Sequence, residues 1–112
     1  MIEVTLLNYL NSAGLSAPVY AEQPKDKPAA FFVIEKSGSS RVNQIDESDF
    51  IVQSYAPTKY LAASMNEEIK EVMFGAQFLD EISAVELNSD YDYTDTDSKT
   101  YRYQAVYVIT HY

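Results

Sequence analysis

The sequence contains no cysteine, no tryptophan and one histidine, and it has only three glycines in 112 residues. The absence of cysteine removes disulfides, thiolate zinc sites and cysteine nucleophiles together. Gly14, Gly38 and Gly75 are far apart, so there is no glycine-rich phosphate loop. No apolar run approaches the ~18 residues of a membrane-spanning helix. The opening stretch, MIEVTLLNYLNS, carries an acid at position 3 and no basic region, unlike a secretory signal. Bases are scarce: 8 against 17 acids, for a net charge of −9. They are scattered along the chain and form no stripe, so general attraction to nucleic acid or anionic lipid is not expected. His111, one residue from the end, has no serine or cysteine motif beside it and reads as an exposed terminal residue.

The apolar share of 46% is that of an ordinary globular protein, and the length fits a single domain, residues 1–112. The ten tyrosines are the oddest feature of the composition. Tyrosine suits pleated, half-buried surfaces and is enriched at interfaces. The same abundance fits a plain sheet-rich protein.

Ile2, Leu6, Leu7 and Leu10 lie on one face of a short helix over residues 2–12, with Asn8 and Asn11 toward water and Gly14 at its end. Val19 to Glu22, flanked by prolines, reads as an edge strand. Ala29 to Lys36 is apolar on both faces and predicts a central strand covered on both sides. SGSS, residues 37–40, reads as a turn or loop. RVNQIDESD after it is ambiguous between a loose strand pairing back and a mobile loop. Phe50 to Tyr55 is a strand in which Gln53, if buried, needs an amide partner.

Pro57 then leads into a long helix from about Thr58 to Phe74. Its apolar stripe is Leu61, Ala62, Met65, Ile69, Val72, Met73 and Ala76, with Lys59, Asn66, Glu67, Lys70 and Glu71 opposite. Two alternating strands follow. A turn centred near Asp97 pairs Val85 with Ile109, Leu87 with Tyr107, Tyr91 with Tyr103 and Tyr93 with Tyr101, and sets Asp92 opposite Arg102. The expected fold class is α+β: a mixed or antiparallel sheet of four to five strands with one short N-terminal helix and one long helix, in the order α-β-β-β-α-β-β.

Chemistry is harder to find. Asp90, Asp92, Asp95 and Asp97 resemble a calcium loop only loosely, because no glycine stands at the sixth position and Tyr101 occupies the place of the bidentate glutamate. A solvated hairpin tip explains them better. Glu67, Glu68, Glu71, Asp80, Glu81 and Glu86 offer carboxylate pairs, most of them on the polar helix face. No catalytic, cofactor or metal residues are expected.

The segments PVYAEQP, FFVIEKSGSS, IVQSYAPTKYLAASMNEEIKEVM and KTYRYQAVYVITHY, in this element order, resemble the tail terminator (tail-completion, or neck) proteins of long-tailed bacteriophages and prophages. VQSYAP and RYQAVY carry the resemblance most strongly. It implies a structural role: a ring, usually a hexamer, that caps the finished tail tube, ends its polymerisation and presents a surface to the head connector, with DNA passing through the lumen. The implied partners are other copies of the chain, the tail tube protein and the connector or stopper protein. The implied location is the virion neck, after assembly in the host cytoplasm. A ring of acidic subunits would let DNA slide if the acids face the lumen. Arg41, Gln44, Tyr91, Tyr93, Tyr101, Arg102 and Tyr103 are the expected interface residues, from the polar 37–49 segment and the tyrosine hairpin. The alternatives are another phage neck, head-completion or minor capsid protein, or a monomeric tyrosine-rich binding module.

Overall fold

The strongest apolar stripe in the chain becomes a helix that packs on a sheet. In the computed structural model, which describes residues 1–97 and 100–112, the order is α1 (Ile2–Ser12), β1 (Val19–Tyr20), β2 (Phe31–Val42), β3 (Ile45–Ala56), α2 (Lys59–Gly75), a 3-10 turn (Ala76–Phe78), β4 (Ile82–Asp92) and β5 (Tyr101–His111). The five strands form one mixed sheet ordered β1-β2-β3-β5-β4. Only β1 and β2 run parallel; the other neighbours are antiparallel. The fold is α+β, as the sequence predicts.

Both helices lie on one face of the sheet. Ile2, Leu6 and Leu10 of α1 and Ala62, Met65, Ile69 and Met73 of α2 bury against Phe32, Ile34, Phe50, Val52, Ala105, Tyr107 and Ile109. Thr58 caps α2, its hydroxyl accepting the Leu61 amide at 3.1 Å, so Pro57 stands just outside the helix rather than in its first turn. Asn66 departs from the expected polar face. It is buried with the stripe, and its Nδ2 donates to an Asp90 carboxylate oxygen at 2.8 Å. Its position directly after Met65 puts it at the edge of the apolar arc, where β4 supplies a polar partner.

At the sheet edge, β1 is shorter than the expected Val19–Glu22. Asn11, predicted to face water, clamps it: the side chain accepts the Val19 amide at 3.1 Å and donates to the Val19 carbonyl at 3.0 Å. One asparagine thus stands in for the missing neighbour strand.

The largest departure concerns residues 37–49. SGSS is not a turn. β2 runs through it with a bulge between Lys36 and Gly38, and the chain reverses at Asn43–Gln44, whose φ values are +53° and +67°. Two consecutive left-handed residues make the two-residue turn whose twist matches that of antiparallel strands. RVNQIDESD therefore forms this turn and the flanking ladder, Arg41 opposite Asp46. Serine and glycine suggested a loop there, but twelve-residue pairing partners outweigh that local preference.

Candidate interaction face

Among the described residues, no helix or long strand packs on the sheet face opposite α1 and α2, but Phe31, Val33 and Tyr55 on it are buried, with Tyr20 packed against them; its side chains form ordered rungs across β2, β3, β5 and β4. The register places Phe31, Tyr55 and Arg102 on the first rung, with Tyr93 beside Arg102. Val33, Gln53, Gln104 and Tyr91 form the second, and Glu35, Ile51, Val106 and Ser89 the third. Asp49, Val108 and Glu86 form the fourth, and Glu47, Thr110 and Ala84 the fifth.

A bulge between Leu87 and Ser89 decides which hairpin residues join this face. Val85 and Leu87 pair with Ile109 and Tyr107, as expected. Beyond the bulge the alternation inverts: Tyr91 opposes Gln104 and Asp92 opposes Tyr103. The predicted pairs Tyr91–Tyr103 and Tyr93–Tyr101 do not form. One extra residue moves every later side chain to the opposite face. Asp90 and Asp92 turn toward α2, where they meet Lys70 and Lys59, and Tyr91 and Tyr93 turn outward.

Of the seven expected interface residues, Tyr91, Tyr93 and Arg102 come together on the open face. Tyr101 and Tyr103 alternate to the helix side, and Tyr103 packs on the main core. Arg41 and Gln44 lie at the far tip, Arg41 in a two-point ion pair with Asp46 through Nε and Nη2. The face recruits four residues that the sequence reading left out of the site: Gln23, Phe31, Tyr55 and Gln104. Strand parity alone, read on β3 and β5 together, places Tyr55, Gln53, Arg102 and Gln104 side by side. The signal was in the sequence, but the β3–β5 pairing was not.

The first two rungs are tied into one network. Phe31 and Tyr55 stack with centroids 4.7 Å apart, and Tyr20 meets Phe31 edge-on. The Tyr55 hydroxyl accepts from Gln23 Nε2 (2.7 Å) and Arg102 Nη1 (3.1 Å) and donates to Gln53 Oε1 (3.0 Å). That uses its one proton and both lone pairs. Gln53 Nε2 donates to Gln104 Oε1 at 2.9 Å, and Gln104 Nε2 donates to the Tyr91 hydroxyl at 2.7 Å. Gln53 is therefore satisfied within the chain. Arg102 donates through Nε to the Tyr93 carbonyl at 2.9 Å and lies over the Tyr93 ring at 4.5 Å and the Tyr55 ring at 5.6 Å. Held at four points, the guanidinium is fixed before any partner arrives. It borders a cleft of about 450 Å³ whose lining includes Lys27, Phe31, Tyr55 and Asp95.

No family model matches the chain, and no curated protein matches its sequence.

The remaining candidates are distributed elsewhere. His111 is not an exposed terminal residue. It is 7% exposed, and its Nε2 sits 2.8 Å from the hydroxyl of Ser48, itself 1% exposed. The closing edge of the sheet, with Ile82 and Asp46 opposite His111, buries this pair. The hydrogen bond satisfies both side chains in a place where an unpaired polar atom would be costly. Nδ1 lies 3.4 Å from the Tyr112 backbone oxygen.

Among the carboxylates, Lys70, hydrogen-bonded to Asp90, holds its carboxyl below the usual range, against the opposing effect of burial. Burial alone would lower Lys70, but Asp90 and Glu67 outweigh it and hold its pKa above normal. Burial, and then the charges of Asp90 and Glu67, push Tyr107 well up. Among the described residues, no three His, Asp or Glu side chains gather around a point where a metal ion would sit. Among the described residues, no helix is long and apolar enough to cross a membrane.

Proposed function

We propose that this protein is a structural assembly subunit of the tail-terminator kind, which builds a ring on the end of a tail tube, stops tube growth and forms the joint to the head connector. The observation that carries this reading is the open sheet face. Its tyrosines, glutamines and arginine are locked into one network and leave Tyr91 and Tyr93 42% and 49% exposed. Tyrosine and arginine held rigid are the residues that interfaces favour, because little side-chain entropy is lost when a partner docks. The resemblance in VQSYAP and RYQAVY supports the same reading, since these segments supply Gln53, Tyr55, Arg102 and Gln104. In a ring of such subunits the −9 charge of each copy favours a lumen along which DNA phosphates slide without sticking.

Light scattering and negative-stain images of the purified protein test the reading. Rings, and tails of uncontrolled length in assembly reactions without the protein, are expected. Tails of normal length in its absence would overturn it. A monomer at every concentration, with or without tubes, would favour a binding module instead.

A further inference from the structure

The open face is electrically polarised along the strands. Among the described residues, the cations without an ion-pair partner are Lys25, Lys27 and Arg102. Lys27 and Arg102 line the cleft at the first rung. Asp95 shares that lining, its Oδ1 taken up by the Asp97 amide. The opposite end of the face carries Glu47, Asp49 and Glu86, with Glu35 on the middle rung, none of them in an ion pair. Tyr55 and Glu47 are eight residues apart on one strand, so the two ends are separated by roughly 27 Å. Between them lie the amide rung and the apolar rung of Ile51 and Val106.

We infer that this face docks a second copy of the chain with the polarity inverted, so that the Arg102–Lys27 end of one copy receives the Asp49, Glu47 and Glu86 carboxylates of the other. The chain supplies both halves of the complement. In a protein of net charge −9, two unpaired cations at one cleft are otherwise unexplained. Arg102 spends one N–H on the Tyr93 carbonyl and one on the Tyr55 hydroxyl, and the guanidinium has five, so its fork has donors for a planar carboxylate. Four strands at ~4.8 Å spacing and roughly 27 Å of length give about 500 Å² per copy, near the lower limit for a specific contact. Because the same face serves both copies, the contact is two-fold and closes on a pair, so a larger assembly uses a second surface as well. This inference rests on the proposed self-assembly and names one surface that takes part in it.

Charge reversal tests it on the isolated protein by light scattering across a dilution series. Arg102→Glu and Asp49→Lys are each expected to lose self-association by at least tenfold in midpoint concentration, with their melting transitions retained. Mixed in equal amounts, the two variants are expected to associate with each other. Lys27→Glu, at an exposed residue with no recorded partner, replaces Arg102→Glu if the latter melts early. Wild-type assembly that persists in both reversed variants, or variants that fail to associate when mixed, would overturn this face while leaving self-assembly standing. A wild-type protein that stays monomeric would overturn both.

Discussion

Lys70 shows how a single charge connects the helix layer to the sheet. Its ammonium bridges Glu67 on its own helix and Asp90 on β4, and Asn66 donates to the same Asp90 carboxylate. Asp90→Ala would leave a mostly buried ammonium and a buried amide each short of one acceptor, a loss of about 1–2 kcal/mol by urea titration. Because the folded-state pKa of Asp90 is depressed, this pair stabilises the fold fully above the ordinary carboxylate pKa of about 4 and loses that contribution as the pH falls through the depressed value. Asp90→Asn is therefore expected to flatten the acid limb of the stability curve while changing little at neutral pH beyond a constant offset. Gly75 is a second such point. A Cβ there would meet the Tyr9 hydroxyl at 2.5 Å, the same hydroxyl that donates to the Val72 carbonyl at 2.8 Å. Gly75→Ala displaces that hydroxyl and is expected to cost about 1 kcal/mol, whereas in the Tyr9→Phe background it should be neutral or stabilising, as thermal melts of the three variants would show.

At the scale of elements, the β2–β3 turn is built from Asn43 and Gln44, and glutamine is a poor choice for φ near +67°. Gln44→Gly creates the Asn-Gly pair favoured in this turn and should raise stability by about 0.5–1 kcal/mol in urea melts, without altering the aromatic and amide rungs at the other end of the sheet. The sequence made the helices legible because their stripes repeat over several turns: Ile2, Leu6 and Leu10, then Ala62, Met65, Ile69 and Met73, are buried where their spacing puts them. The same periodic reading worked for Phe31–Ile34 and for Val85 and Leu87. It failed where a sheet depends on events that no local pattern records. The bulge after Leu87 reversed the faces of Tyr91 and Tyr93. The pairing of β2 with β3 overrode the loop-like SGSS, and the closing edge of the sheet buried His111. The interaction face was legible only in part for the same reason, since Arg102 and Tyr55 become neighbours only through a strand pairing 47 residues long-range.

For the whole molecule, net charge and charge placement act in opposite directions. A −9 chain repels its own copies, whereas the proposed docking of the polarised face would attract them. Asp49→Lys and Glu71→Lys change the net charge equally, from −9 to −7. Asp49 lies on the acidic end of the face, and Glu71 on the exposed side of α2. The first is expected to abolish assembly and the second to strengthen it modestly, with sizing under one buffer condition as the readout; equal shifts of the same sign would show that bulk repulsion alone governs association. The sheet also has a kinetic anatomy. β2–β3 and β4–β5 are local hairpins, while β3 meets β5 across 45 residues at Ala56–Tyr101 and 65 at Asp46–His111. That central seam must close a long loop with α2 folded inside it, so it is expected to form last and to open first among the ladders, a ranking that amide hydrogen exchange would read directly. The stacked and hydrogen-bonded rungs straddle this seam. Neither hairpin alone possesses the proposed docking face, so on this reading a half-folded chain has nothing to offer its neighbours, and admission to an assembly would be reserved for molecules whose folding is complete.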